Sequence, residues 1–427
     1  MNKRVVITGV GVVASNGTGI SNFLSAIRGG KSGIDFLPEL RDLNFACQVA
    51  GVPDISQAET QEFFDKYHFS ESGDNVKYAT LAAAEAWLDA GLQIPDPINS
   101  DTDFDTGVII GGGVGNIDIF SERIFPMVAN GNVRRLRSNI AEFTMFSAAS
   151  ANISFLLALG NQVSANSSAC STGTESIILG AERIKHGLAK RMVIGSSEIA
   201  SPYVWGCFDS MRVLCRKYND TPKAASRPMS SSAGGFVPSA GAGVLVLEEY
   251  ESAIERNAKI YAEVLGTSIN SGGQRKDGSM QAPGSYGVQQ CIKNAIIDAK
   301  VKSEQIDAIC GHLSSTMADP IEIGNWVSAL NLSGNKFPYI NSLKSMTGHS
   351  LGASGTIETI AAVLELHHGF LFPSINCEDL NPEIEKLISP EKIPSKTIEN
   401  IDLNVIAKAS FGFGDINSCI IIGKNKE

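Results

Sequence analysis

Residues 164–187 read SANSSACSTGTESIILGAERIKHG. An extended start, a turn crowded with small residues, and then Ile177, Ile178, Ala181 and Ile184 at helical spacing predict a strand, a turn and a helix. Residues 339–369, YINSLKSMTGHSLGASGTIETIAAVLELHHG, follow the same plan: a strand, a glycine turn and a long helix. Outward from these two stretches, apolar runs punctuated by glycine predict further strands. KRVVITGVGVV (3–13), TGVIIGGG (106–113), RMVIGSSE (191–198) and GAGVLVLEEY (241–250) lie around the helical pattern TLAAAEAWLDAG (80–91). From about residue 256 a similar order returns in IYAEVLGTSI, VQQCIKNAIIDAK, IDAICGHL and VIAKASFGFGDINSCIIIG. Alternating strands and helices predict an α/β architecture with sheets buried between helices. The halves echo each other without a strict sequence repeat, and no Pro- or Ser-rich linker parts them. The expectation is therefore one intimate, pseudo-duplicated unit divided near residue 255. The charged segment 378–402 reads as a surface connection with short helical pieces.

Composition narrows the function classes. Of 427 residues, 43% are hydrophobic and 19% charged, which supplies a sizeable core and excludes a wholly disordered chain. A net charge of −10 argues against nucleic acid as the main partner. No apolar stretch reaches the roughly 18 residues of a membrane span. Lys3 and Arg4 before VVITGVGVVA imitate a short signal peptide, but the pattern favours a buried first strand. The eight cysteines are scattered without a CxxC pair, so neither a disulfide framework nor a zinc site is expected, and a reducing cytoplasm fits best. GVGVVA at 9–14 lacks the acidic partner of a dinucleotide fingerprint, and GGGVG at 111–115 is not followed by the GK[ST] of a phosphate loop.

Three groups carry candidate chemistry. Cys170 sits in SSACSTGTES at the expected helix N-terminus, where free N–H groups and the helix dipole favour a thiolate. The same N–H groups suit an oxyanion on a thioester carbonyl. Most free cysteines are small buried hydrophobes, and that reading stands beside the catalytic one. Of six histidines, His312 ends an apolar strand in CGHLSST and His349 occupies the glycine-flanked turn KSMTGHSLGASG. Both are places where α/β folds gather functional groups. His186, His367 and His368 read as helix C-terminal residues, and His68 has no motif. One cysteine with two turn-borne histidines points to nucleophilic acyl chemistry rather than to a metal or a cofactor. SFGFGDIN (410–417) reads as a mobile close-packed loop or as a plain hairpin turn.

Taken together, SSACSTGTESI, LCRKYNDTPKAASRP, LKSMTGHSLGASGTIE, LELHHGFLFPSINCEDLNP and SFGFG make the chain resemble, nearly end to end, the elongating β-ketoacyl-[acyl-carrier-protein] synthases. The resemblance implies a thiolase-like five-layered αβαβα fold and a homodimer. Residues 1–255 would carry the nucleophile and 256–427 the two histidines. It implies Cys170 as acyl acceptor and His312 and His349 as the imidazoles that stabilise the enolate left when malonyl loses CO₂. Lys344 and Glu358 would support them, and Phe413 would gate the site and complete an oxyanion hole with Cys170. It also implies pantetheine contacts at Ser314 and Thr316 and an acyl pocket beside Gly113, where glycine leaves room for a long or rigid chain. The acidic acyl carrier protein would dock on Arg134, Arg135 and Arg137. The runner-up within the resemblance is a non-condensing, chain-length-factor-like or carrier-binding subunit. A thiolase proper would need a second cysteine in a late glycine turn, whereas Cys419 lies in an apolar run.

The chain departs from the family at three loops. HLSSTMADP puts Leu313 and Ser314 where glycine and threonine are usual and looks one residue short before Asp319. GFGD ends on Asp415 instead of glycine. RPMSSSAGGF lacks the usual acid and arginine–aspartate pair. The resemblance implies condensation in fatty acid or related polyene or polyketide synthesis, and these departures point within it to a specialised synthase of a polyene, pigment or polyketide pathway.

Overall fold

VVITGVGVVA has no polar face because strand β1 (Val5–Ala14) is buried along its whole length. In the computed structural model, which describes residues 3–69 and 73–425, this stretch is a strand in the middle of the main sheet. The other strands used below, numbered in chain order, are β2 (Thr106–Gly111), β3 (Val163–Ser164), β4 (Arg191–Glu198), β5 (Gly241–Glu249), β6 (Ala262–Ser271), β7 (Ala308–Cys310), β8 (Tyr339–Asn341), β9 (Val405–Gly412) and β10 (Ile416–Gly423).

Strand order reveals a duplication that the residues do not spell out. The first half runs β1-β5-β4-β2-β3 and the second β6-β10-β9-β7-β8. Each half pairs its first strands antiparallel and its last three parallel. The halves join where β1 meets β6 antiparallel, at Val6 opposite Glu263 and Ile7 opposite Ala262.

Helices fill the layers between and outside. Helices α1 (Asp74–Asp89) and α2 (Ala148–Leu157) cover the outer face of the first half, and α4 (Ser285–Ala299) and α5 (Asp319–Leu330) that of the second. Between the halves lie α3 (Thr172–Lys185) and α6 (Ser354–His368). The result is an αβαβα stack. Every residue of α6 from Ser354 to Leu366 is buried, so this helix shows no polar stripe. Close approach needs glycine at two levels. A Cβ on Gly11 would come 2.0 Å from Ala82 O of α1, and one on Gly355 would come 2.5 Å from Thr174 N of α3. The second contact brings the N-terminal turns of α3 and α6 together, and these turns carry the functional groups. His367 and His368 end α6 before Gly369, whose φ is +66°. Gly369 closes the helix as the sequence leads one to expect.

Candidate active site

The nucleophile turn is held in an uncommon backbone conformation. Ala169 has a φ of +49°, a region costly for a residue with a Cβ. The turn is fixed by Ser171 N donating to Ser168 O at 3.0 Å and by Thr172 Oγ1, which donates to Ala169 O at 2.7 Å and accepts from Ser168 N at 2.8 Å. Cys170 thereby stands one residue before Ser171, the N-cap of α3. Ser171 Oγ ties the turn to β9 and β10 through Ser410 O at 3.0 Å and Ile416 O at 3.1 Å.

Both sequence-expected imidazoles meet this turn. His349 Nε2 lies 3.2 Å from Cys170 Sγ, and its Nδ1 lies 2.9 Å from Ser354 Oγ. The His312 ring stands 5.3 Å from the His349 ring at an interplanar angle of 84°. His312 Nδ1 is buried and has no hydrogen-bond partner among the described residues. Burial first, and then the positive charge of Lys344 and Lys408, hold both imidazoles well below their ordinary pKa; His349 adds to the effect on His312. Both rings are therefore neutral at physiological pH.

The thiol departs from expectation. Burial pushes Cys170 up to about 12, against the lowering effect of Lys344 and with Glu198 and Glu358 adding to the rise. Raising a thiol from 9.0 to about 12 corresponds to about 4 kcal/mol. A helix N-terminus contributes about 0.3–2 kcal/mol in the other direction. Burial therefore favours the thiol over the thiolate in the resting site, beside a neutral imidazole.

Behind the rings is a buried charge cluster. Lys344 Nζ binds Glu358 Oε1 and donates to His312 O at 2.6 Å. Lys408 Nζ lies 2.8 Å from the other oxygen, Glu358 Oε2. Sequence reading found Lys344 and Glu358 through the family resemblance and missed Lys408. The only signal was a lysine inside the apolar run VIAKAS, which also fits a strand with one solvated position.

The short HLSST loop is carried by two buried carboxylates. Glu322 accepts from His312 N and Leu313 N, both at 2.7 Å. Asp319 accepts from Ser314 N at 2.9 Å, Ser315 N at 3.1 Å and Met229 N at 2.9 Å. Burial raises Glu322 to about 7, with Asp319 adding to it, and Asp319 to about 6. The backbone clamps keep His312 beside His349 despite the altered loop. Ser314 Oγ and Thr316 Oγ1 lie 3.2 Å apart on the same loop.

The GFGD turn lies against the nucleophile turn. A Cβ on Gly412 would come 3.1 Å from both Cys170 N and Ser168 O, so glycine lets the end of β9 lie on the nucleophile turn. The Phe413 ring packs against Phe208, centroids 6.1 Å apart, and Phe411 against His312 at 6.0 Å. Asp415 has a φ of +61°, yet its buried carboxylate accepts from Gln274 N at 2.9 Å and Gly284 N at 2.8 Å. Gly414 N also donates to Met280 O at 2.8 Å. The turn is thus fastened to the 272–284 loop, and the hydrogen bonds offset the unfavourable φ of Asp415.

One expectation needs adjusting. The space beside Gly113 is occupied: a Cβ there would come 2.6 Å from Glu198 Oε1, which accepts from Gly113 N. Glycine at 113 accommodates this carboxylate rather than leaving room for a substrate. RPMSSSAGGF does not leave Arg227 unpaired, because the arginine binds Glu378 and Asp379, each at 3.0 Å. Arg134, Arg135 and Arg137 are exposed. Arg135 and Arg137 line a cavity of about 260 Å³ together with Met127, Leu136 and Phe143. A larger cavity of about 500 Å³, lined by Ser15, Asn16 and Lys31 among others, shares no residue with the thiol site. Chemistry, not volume, locates the centre.

The family model for the N-terminal domain of beta-ketoacyl synthase matches residues 2–253, and that for the C-terminal domain matches 261–378. The chain belongs to the beta-ketoacyl synthase family. Among this family's members, it is 36% identical to 3-oxoacyl-[acyl-carrier-protein] synthase 1 of Haemophilus influenzae, over 98% of each chain. It is 33% identical to the Escherichia coli K12 protein of the same name, over the whole of both. Among solved structures, a beta-ketoacyl synthase from Burkholderia phymatum superposes with a TM-score of 0.88 at 27% identity, covering 99% of this chain and 100% of that one. A type II polyketide ketosynthase, solved with its acyl-carrier protein and bound to a hexaketide, gives 0.87 at 28% identity over the whole of both chains. The αβαβα stack is accordingly the thiolase-type fold of the ketosynthases, and the chain is a condensing enzyme of the acyltransferase type.

Proposed function

We propose that Cys170 is the acyl acceptor of a decarboxylative condensation between an acyl chain and malonyl, both delivered by an acyl carrier protein. The observation that carries this reading is the 3.2 Å contact between His349 Nε2 and Cys170 Sγ, with a second neutral imidazole beside it. In the first half-reaction the thiol proton passes to His349 as sulfur attacks the carrier thioester. The acyl–S bond to the carrier breaks, and the carrier thiol leaves with the proton. In the second, malonyl loses CO₂, and the enolate oxygen accepts from His312 and His349. The enolate carbon then attacks the acyl carbon, the acyl–S bond to Cys170 breaks, and Cys170 leaves as a thiolate that takes up one proton from solvent. The Ser354 hydroxyl can donate to or accept from His349 Nδ1, so either tautomer of the ring is supported. Backbone N–H groups of Cys170 and Phe413 form the oxyanion hole, and each is worth about 3 kcal/mol of barrier. The Gly412–Asp415 turn must shift to admit the acyl chain, with Phe413 as the gate. The two halves divide the labour: 1–255 brings the thiol, and 256–427 brings the imidazoles. A non-condensing role would leave this assembly of thiol and imidazoles without a use.

The exposed Arg134, Arg135 and Arg137 form the carrier dock, and Ser314 and Thr316 receive its pantetheine arm. The working state is a homodimer in the cytoplasm. Exposed Phe125, Val128, Phe146 and Phe155, together with the open edge at Val163, favour a second copy as their cover, and eight free cysteines suit a reducing compartment. Given acyl and malonyl carriers, the purified protein is expected to release CO₂ and yield the 3-oxoacyl carrier. Reversing the three arginines to glutamate should slow carrier-bound substrates at least tenfold while sparing small pantetheine thioesters. Equal loss on both would remove the arginines from the docking role, and no CO₂ from wild type would overturn the condensation reading.

A further inference from the structure

We propose that Lys408 is a positioning residue of the site: it and Lys344 grip opposite oxygens of Glu358, and the one surplus positive charge of this buried trio faces the two imidazoles. Several observations converge on Lys408. Its side chain is fully buried in the middle of β9. Its ammonium binds Ala409 O, donates to Ser410 Oγ at 3.0 Å, and stands 2.8 Å from Glu358 Oε2. Lys344 holds Glu358 Oε1 and at the same time donates to the backbone carbonyl of His312. One carboxylate therefore serves two ammonium groups, and a structural ion pair needs only one. The second ammonium goes beyond pairing, because a buried charge is costly unless it is used.

The neighbourhood limits what that charge can act on. Besides Glu358 on α6, the charged and titratable groups around Lys408 are Cys310 on β7, Glu322 on α5, Cys419 on β10, Lys344, and the rings of His312 and His349. Burial raises Glu322 to about 7, so it carries at most part of a negative charge at neutral pH. The thiols are neutral because burial raises them. The imidazoles are then the groups that respond. A like charge disfavours their protonated form, so the trio keeps them as neutral hydrogen-bond partners for an enolate. It also presents a positive field to an incoming carboxylate. This role rests on the proposed condensation only for its use, since the effect on the rings exists without substrate.

The test is therefore read first on the resting protein. In histidine-labelled wild type and Lys408→Met, NMR titration of the ring carbons, assigned with His312→Gln and His349→Gln, reports each imidazole. Methionine keeps the length and leaves Glu358 paired with Lys344. Both rings are expected to protonate at a higher pH in Lys408→Met than in wild type. The acid limb of the condensation profile should move up with them. In Lys408→Ala, added methylammonium is expected to restore the wild-type titration, and tetramethylammonium, too large for the space, is not. Superimposable titrations of wild type and Lys408→Met, or equal response to both ammonium ions, would overturn the proposal. Should the rings shift while wild type makes no 3-oxoacyl product, the condensation reading fails and the role of Lys408 stands.

Discussion

His312→Ala is expected to leave acyl transfer to Cys170 near its wild-type rate and to slow condensation by about 10²–10⁴-fold. His349→Ala is expected to impair both steps. The split follows from geometry. His349 Nε2 is 3.2 Å from the sulfur and is the proton acceptor for a thiol that burial holds protonated. His312 makes no hydrogen bond to that sulfur; its buried Nδ1 has no partner among the described residues and it stands against the His349 ring. Its work begins when malonyl arrives. Intact-mass measurement of acyl loading, set beside product formation from preloaded enzyme, separates the steps. Equal loss of loading and condensation in His312→Ala would contradict the division of roles.

Glu358→Leu is expected to be among the most destabilising single changes in the chain, at about 3–5 kcal/mol. The wild-type trio sums to one positive charge, from two ammonium groups and one carboxylate. Removing the carboxylate leaves Lys344 and Lys408, both buried, facing each other with no anion between them. Desolvation and repulsion then act together, and one lysine must lose its proton or the core must open. The double variant Glu358→Leu with Lys408→Met returns the sum to one charge and should recover part of the loss. Melting curves of wild type, both single variants and the double variant measure this coupling. A Glu358→Leu protein that melts with wild type would show that the cluster contributes nothing to stability.

The layered α/β architecture was legible because its strands are buried on both faces and read as apolar runs, as in β1 and β5. The common strand order of the halves was less so. β7 and β8 have only three residues each, too few for a pattern, and their places follow from pairing rather than composition. The thiol and both histidines could be singled out because each sits in a connection rich in small residues between a strand and a helix. Three features were not legible. The left-handed backbone at Ala169 leaves no mark, since alanine gives no hint of positive φ. Glu322, like Asp319 in the first turn of α5, looks like an ordinary helix-start acid, yet it holds the backbone of His312. Lys408 looks like a solvated strand position, because only the partner segments show that its face is buried. The direction of the Cys170 shift failed for a related reason: local sequence displays the helix end that favours a thiolate but not the packing that opposes it.

Intact-protein mass spectrometry of the wild-type chain, before and after a malonyl carrier chase, addresses the acyl-accepting role of the thiol most directly. Incubation with an acyl carrier should add the mass of one acyl group. Peptide mapping should locate it on Cys170, and the malonyl carrier should remove it with release of a 3-oxoacyl product two carbons longer. An adduct on any other of the eight cysteines, or one on Cys170 that persists through the chase, would contradict the account.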